Sequence, residues 1–266
     1  MIRGLIKQTG VNRLRWIRKA EIIRQHHAPI HRHIPYLLLD PEVQNFTYEI
    51  ANRNELATWL ESLFGAGRYV AELDQDVDLM ADLRGRLRWR PASKRQTPFG
   101  RRAGWYSIVR ALRPARVVET GTHDGLGSTA ILAALDRNGS GNLISIDPQF
   151  GTGWLVPNRL RGRWQPARGT SQDVLPSLGP IDLFIHDSLH TPDNERWELE
   201  TAAGLGAKVL LSDNAHAADT ARTFACSHGG TFSVWREQVT RHFYPGGGIG
   251  VVILHEAGTP DQAKRR

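Results

Sequence analysis

A single cysteine, Cys226, excludes an internal disulfide and any metal centre built on paired thiolates. No other thiol stands beside it, so it reads as a small apolar helix residue. Long hydrophobic runs are missing as well. Ile34 to Leu39 falls far short of the ~20 residues of a membrane span, and the first residues lack the apolar core and cleavage site of a secretory leader. The cytoplasm is the expected location. Internal repeats are absent, and no nucleic-acid-binding motif occurs. What remains, 266 residues with 40% hydrophobic content and 26 glycines, suffices for one α/β core and an appended segment.

Charge is short on one side of the chain. Residues 1 to 114 carry 20 Lys/Arg against 11 Asp/Glu, and residues 115 to 266 carry 14 against 16, so the net +7 is N-terminal. Residues 1 to 24 interleave seven basic side chains with Ile2, Leu5, Ile6, Leu14, Trp16, Ile17, Ile22 and Ile23. That pattern suits peripheral contact with an anionic membrane or packing onto the protein's own body, and Gly10 interrupts it. The run Arg84-Gly-Arg-Leu-Arg-Trp-Arg90, with Lys94, Arg95, Arg101 and Arg102 after it, alternates as a half-exposed strand would. It reads as a solvated edge, or as a surface for acidic groups.

The densest signal is Val117-Val-Glu-Thr-Gly-Thr-His-Asp-Gly-Leu-Gly-Ser128, a β-branched run that turns through glycines into an Ala/Leu-rich helix. Such a βα turn lets a polar ligand reach backbone at a helix N-terminus. Glu119 is the last strand residue but one before Gly121, and 26 residues beyond Gly121 a second strand, Asn142-Leu-Ile-Ser-Ile-Asp147, ends in another acid. Ligands of open α/β sheets sit at the carboxyl ends of strands, so both acids are expected to face one pocket. Two cofactors compete for it. Gly125-Leu-Gly127-Ser-Thr-Ala130 satisfies the dinucleotide pattern G-x-G-x-x-A with Asp147 roughly 20 residues on. Glu119-x-Gly121-x-x-x-Gly125, in which Gly121 makes the turn, resembles the first motif of S-adenosylmethionine-dependent methyltransferases, which would hold an amino acid and a nucleoside and cradle no pyrophosphate.

From about residue 104, strands and helices alternate with short Gly/Pro/Asn/Asp punctuation, the pattern of a mostly parallel sheet covered on both faces. Strands are expected at 116–120, 142–147, 163–167, 182–186, 208–212, 232–237 and 249–254. Helices are expected near 105–112, 128–135, 171–178, 193–203 and 217–226, with another at 44–64 presenting Leu56, Trp59, Leu60 and Leu63 on one face. Residues 91–100 read as a linker. The predicted organisation is a basic, partly helical N-terminal extension over 1–100, packing on or covering a catalytic domain over 101–266.

The fourth and fifth strands of that domain end in Asp182-Leu-Phe-Ile-His-Asp-Ser-Leu-His-Thr191 and Leu211-Ser-Asp-Asn-Ala-His216. Asp187, Asp213 and Asn214 are hard oxygen donors of the kind that suit Mg²⁺ or another divalent cation, and such an ion could lower the pKa of a substrate hydroxyl. His190 and His186 are candidate general bases, since imidazole titrates near neutral pH. A metal-free polar loop is the alternative.

These three segments resemble class I S-adenosylmethionine-dependent methyltransferases, in the branch of small stand-alone enzymes similar to macrocin O-methyltransferases and cephalosporin-hydroxylase-like proteins. The resemblance spans roughly residues 100 to 255. It implies a Rossmann-like seven-stranded, mostly parallel sheet with helices on both faces and a last antiparallel strand. It also implies O-methylation of a hydroxyl on a small molecule or sugar. S-adenosylmethionine would then meet Glu119 and Gly121 around its methionine part, with Thr122, Gly125 and Ser128 of the same loop, Asp147 on the ribose, and Thr170 or Ser171 near the adenine. The step from Asp187 to Asp213-Asn214 is similar to the metal triad of cation-dependent catechol-type enzymes, which gives those three residues the metal. Asp187 and His190 are the catalytic candidates. A nicotinamide-dependent oxidoreductase and a non-catalytic methyltransferase-like binding protein stand as alternatives, and a homo-oligomer is left open.

Overall fold

The computed structural model describes residues 49–87, 99–215, 218–240 and 246–255. The basic segment 1–24, the arginines between 88 and 95, most of the expected linker and His216 lie outside them. The expected run of alternating arginines is not a strand where it is described: Arg84 and Arg86 close the helix Val77–Arg86. Its capping residue, Asp76, accepts from the Leu79 amide, and two arginines suit the negative end of the helix dipole.

A short strand β1 (Glu49–Ile50) precedes three helices, α1 (Arg53–Phe64), α2 (Arg68–Asp74) and α3 (Val77–Arg86). Then come α4 (Arg102–Leu112), β2 (Arg116–Thr120), α5 (Leu126–Asn138), β3 (Asn142–Asp147) and β4 (Trp164–Arg168). One turn, α6 (Ser171–Val174), leads to β5 (Leu183–His186), α7 (Pro192–Gly204) and β6 (Val209–Asp213). The last described elements are α8 (Thr220–Ser227), β7 (Thr231–Arg236), β8 (Val239–Thr240) and β9 (Gly248–Ile253).

Seven strands form one sheet in the order β4-β3-β2-β5-β6-β9-β7. β2 to β6 pair in parallel, whereas the last strand, β9, inserts antiparallel between β6 and β7. Continuous apolar runs such as Leu183-Phe-Ile suit strands buried on both faces. Their alternation divides the core. Val117, Leu143 and Leu183 face α1 to α5, with Leu56, Leu60, Trp105 and Ile131. Val118, Ile144 and Phe184 face the opposite layer, with Leu199 and Phe224 from α7 and α8. Pro166 is tolerated because β4 is an edge strand.

Helix ends depart from expectation for local reasons. α5 starts at Leu126, two residues early, because Gly125 takes a left-handed conformation (φ +88°) and becomes the N-cap. The helix expected over 171–178 is a single α turn followed by a 3-10 turn at Leu175–Ser177, where Pro176 has no amide to donate.

Candidate functional site

A cavity of about 480 Å³ opens at the carboxyl ends of β2, β3 and β5, within the range of small-molecule sites. Of the residues expected to hold a cofactor, Gly121, Asp147, Thr170 and Ser171 line it. Asp147 ends β3, and each of its oxygens accepts one backbone amide, Oδ2 from His123 (2.9 Å) and Oδ1 from Gln149 (2.8 Å). A carboxylate has about four lone-pair sites, so two stay available beside the cavity. Thr170 caps α6 in a reciprocal capping box with Asp173, which fixes the opposite rim.

Glu119 does not face this cavity, against expectation. It is 1% exposed, and its Oε2 accepts from the hydroxyls of Ser128 (2.5 Å) and Ser145 (2.8 Å). The reason lies in the pleat: Glu119 pairs in register with Ser145, so the acid turns into the interface between sheet and α5. Ser128, Thr122 and Gly125 likewise sit behind the wall and not on it. The loop glycines answer to protein atoms. A Cβ on Gly121 would lie 2.0 Å from the Asp187 carbonyl oxygen, one on Gly125 2.6 Å from Gly153 Cα, and one on Gly127 2.6 Å from the Trp105 ring. Gly127 and Ala130 are buried inside α5, so the G-x-G-x-x-A pattern builds helix packing and not a phosphate cradle.

Beside the cavity stands an acid cluster. Asp187 follows β5 and lines the cavity, Asp213 ends β6, and His190 spans them, with Nε2 3.6 Å from Asp187 Oδ1 and 4.0 Å from Asp213 Oδ2. Burial and the charge of Asp213 push the Asp187 carboxyl up to about 6, against the pull of His190 and Arg102. Burial alone would lower His190, but its contact with Asp187 and the charges of both carboxylates raise it above the ordinary imidazole value. Asp213, which burial would raise, is held well below the usual carboxylate range by Arg101.

Arg101 and Arg102 were expected at a solvated edge; both are buried at the start of α4. Arg101 grips Asp213 through Nε to Oδ1 (2.5 Å) and Nη2 to Oδ2 (2.7 Å), while Arg102 Nη2 lies 3.8 Å from Asp187 Oδ2. Asn214 turns its amide nitrogen to Asp213 Oδ2 (2.7 Å) and stands 3.5 Å from His190 Nε2. Asp187, Asp213 and Asn214 do come together, and Asp187, His190 and Asp213 each offer a ligand atom within 4.8 Å of the others. In this arrangement a divalent ion would have to compete with a guanidinium for Asp213. Both Asp213 oxygens are engaged by a guanidinium, and an ion about 4 Å from it would meet repulsion of about 4 kcal/mol per unit charge at an effective dielectric of about 20.

His186, the other candidate base, is fully buried away from the cavity. Its Nδ1 meets Glu198 Oε2 at 2.7 Å, and its ring stands edge-on to His190 with centroids 5.2 Å apart. Glu198, on α7, also accepts from Thr120 and Ser188 (2.7 Å each) and from Asn194 (3.1 Å). Nothing in the local sequence around Glu198 or Arg101 marks their partnerships with Thr120 and Asp213, which are 78 and 112 residues away, whereas Asn194 and Glu198 stand four apart on α7.

Residues 118–210 match a protein-family model described as a methyltransferase domain. Among solved structures, the O-methyltransferase TomG from Streptomyces achromogenes, involved in tomaymycin synthesis and in complex with SAM, is 18% identical. That match covers 77% of this chain and 98% of TomG at a TM-score of 0.50. An O-methyltransferase from Bacillus cereus in complex with SAH is 14% identical over 77% of this chain and 100% of that one, also at 0.50. Cofactor-bound Rv0187 from MTB is 18% identical, covering 79% of this chain and 100% of that one, with a TM-score of 0.51. No curated protein matches in sequence. These likenesses share the fold, a Rossmann-like methyltransferase sheet. Among the described residues, no helix is long and apolar enough to cross a membrane.

Proposed function

We propose that this chain, built on the class I methyltransferase fold, moves a methyl group from S-adenosylmethionine to a hydroxyl oxygen of a small molecule or sugar. One observation carries the reading: an acid at the end of β3, Asp147, with acceptor capacity to spare, stands in the wall of a cavity whose opposite rim is the capped turn at Thr170. That pairing suits a nucleoside, with the ribose diol donating to Asp147 and the base lying toward Thr170 and Ser171. Gly121 lets the β2 turn close against the Asp187 loop, which would form the floor under a bound cofactor. Glu119 and Ser128 act behind the wall, tying α5 to β3 and so setting the height of the loop. The match of residues 118–210 to a methyltransferase-domain model, and the bound SAM or SAH of the two O-methyltransferases with this fold, support the same cofactor.

Bound S-adenosylmethionine supplies an electrophilic methyl carbon on a sulfonium. Transfer would make one bond, from the acceptor oxygen to that carbon, and break the carbon–sulfur bond, whose electron pair would stay on sulfur. His190 takes the hydroxyl proton, and Asp187 and Asp213 on its two sides stabilise the imidazolium that results. Most of the acceleration comes from holding oxygen and carbon at a near-attack distance of ~3 Å. Calorimetric titration of the folded protein with S-adenosylmethionine and its demethylated product is the first test. Binding of both is expected, and silence at millimolar concentration would sink the enzyme class. Transfer of labelled methyl to a panel of sugars, phenols and carboxylates then sorts the acceptor.

A further inference from the structure

The strand-end carboxylates already have a cation. Arg101 closes a two-point fork on Asp213, with side-chain exposures of only 7% and 1%. The fork is itself held. The Arg101 amide donates to Glu237 Oε2 (3.0 Å), its Nη1 lies 3.5 Å from Glu237 Oε1, and the Gly247 amide donates to that same oxygen (2.8 Å). Gly247 stands close against the guanidinium, since a Cβ there would lie 2.8 Å from Arg101 Cζ. Arg102, the next residue, puts a second positive charge 3.8 Å from Asp187. Asp187, Asp213 and Glu237 therefore face Arg101, Arg102 and His190, and charge is close to balanced without any ion. Planar bidentate geometry of this kind is what arginine provides and a hydrated point charge does not.

We propose that Arg101 takes the place of the divalent cation at this strand edge, so that the centre neither binds nor needs a metal. That this cation serves methyl transfer rests on the function proposed above; that it excludes an ion rests on the geometry alone. Arg101 is a positioning residue. It fixes Asp213 4.0 Å from His190 Nε2, where the carboxylate stabilises the imidazole once the acceptor's proton has moved to it.

The experiment is a titration of chelator-treated protein with Mn²⁺, following free Mn²⁺ by electron paramagnetic resonance, with S-adenosylmethionine binding measured calorimetrically on the same samples. Wild type is expected to take up no stoichiometric Mn²⁺ at millimolar concentration. Arg101→Ala, which frees both Asp213 oxygens beside Asp187, is expected to gain a Mn²⁺ site that disappears again when Asp213→Asn is added. Stoichiometric uptake by wild type, lost in Asp213→Asn, would overturn the proposal. So would a folded Arg101→Ala as indifferent to Mn²⁺ as its parent, because Arg101 would then not be what keeps the ion out. Should Arg101→Ala fail to fold by circular dichroism, Arg101→Lys serves. Its ammonium makes a single contact and leaves one oxygen open, so weak Mn²⁺ uptake is expected and none would count against the proposal. Wild type failing to bind S-adenosylmethionine would refute the function and leave the Mn²⁺ result to judge this inference by itself.

Discussion

His190 is a base placed between two acids, and its pH behaviour follows from that placement. Its folded pKa is raised, so the neutral form that accepts a proton appears only above the ordinary imidazole value. Methyl transfer is expected to rise with pH above the ordinary imidazole value and level off once the raised His190 is neutral, and His190→Gln should lower the plateau by roughly 10²- to 10⁴-fold. A rate independent of pH across neutrality would remove His190 from the proton's path. Stability runs the other way. A raised imidazole stabilises the fold fully below its unfolded value near 6.5 and loses that contribution as pH climbs through the folded value. Asp187, raised to about 6, adds to this, because keeping it ionised costs stability above that pH and the cost lifts as pH falls through it. Nitrogen NMR of the imidazole and urea midpoints on both sides of neutrality check both signs. Gly121 offers a purely steric test at the same scale. Its φ of +88°, and an Asp187 carbonyl oxygen only 2.0 Å from where a Cβ would stand, make Gly121→Ala costly, by about 2 to 4 kcal/mol in urea denaturation. A loss under half of that would show that the loop yields easily.

At the scale of elements, α7 does more than cover the sheet. Its Glu198 reaches three strand or loop positions at once, Thr120 on β2, His186 on β5 and Ser188 in the loop that carries Asp187 and His190. Burial would raise this carboxyl, yet the His186 imidazole and the neighbouring hydroxyls hold it below its ordinary value. The stabilisation it brings is therefore present above the unfolded carboxylate value and lost as pH falls through the folded one. Glu198→Ala leaves a buried imidazole and hydroxyls without their acceptor and should cost about 3 kcal/mol or more, with Glu198→Gln recovering part of it. Thermal melts at neutral and acid pH distinguish the two, and equal stability of wild type and Glu198→Ala would mean the network contributes nothing. The strands around this hub were legible in the sequence. Arg116–Thr120 and Asn142–Asp147 fall where their β-branched runs place them, and the other five lie within a residue or so at each end. Side-chain partnerships were not, because Thr120 and Glu198 are 78 residues apart and periodicity carries no record of which buried acid meets which hydroxyl. Glu119 shows the same limit. Its place near a strand end was readable and the pleat sets its face, but that Ser128 across the interface and Ser145 beside it on β3 would take up its carboxylate was not.

Across the whole molecule, the helices before residue 87 share their core with the sheet. Leu56 and Leu60 of α1 are fully buried in the same cluster as Trp105, Val117 and Ile249. Trp59 Nε1 donates to Ser233 Oγ on β7 (2.7 Å), and Asn52 bridges the backbone of Arg236 and Gln238. Gly104 on α4 stands close to both neighbours, since a Cβ there would lie 2.5 Å from Ile249 Cδ1 and 3.5 Å from Leu56 Cδ1, so α1, α4 and β9 are packed at contact distance through one layer. The described helices before the linker expected at 91–100 and the sheet after it therefore share one packed core. If they are also one body in energy, truncating a side chain in α1 must weaken the cofactor half. Leu60→Ala should lower the stability of the entire protein by about 2 to 5 kcal/mol, the range for deleting a buried leucine. It should do so in a single calorimetric transition whose midpoint still rises with S-adenosylmethionine. Two transitions, with only the ligand-insensitive one moved by Leu60→Ala, would show that the helices of the N-terminal half fold as a separate unit and merely rest on the sheet.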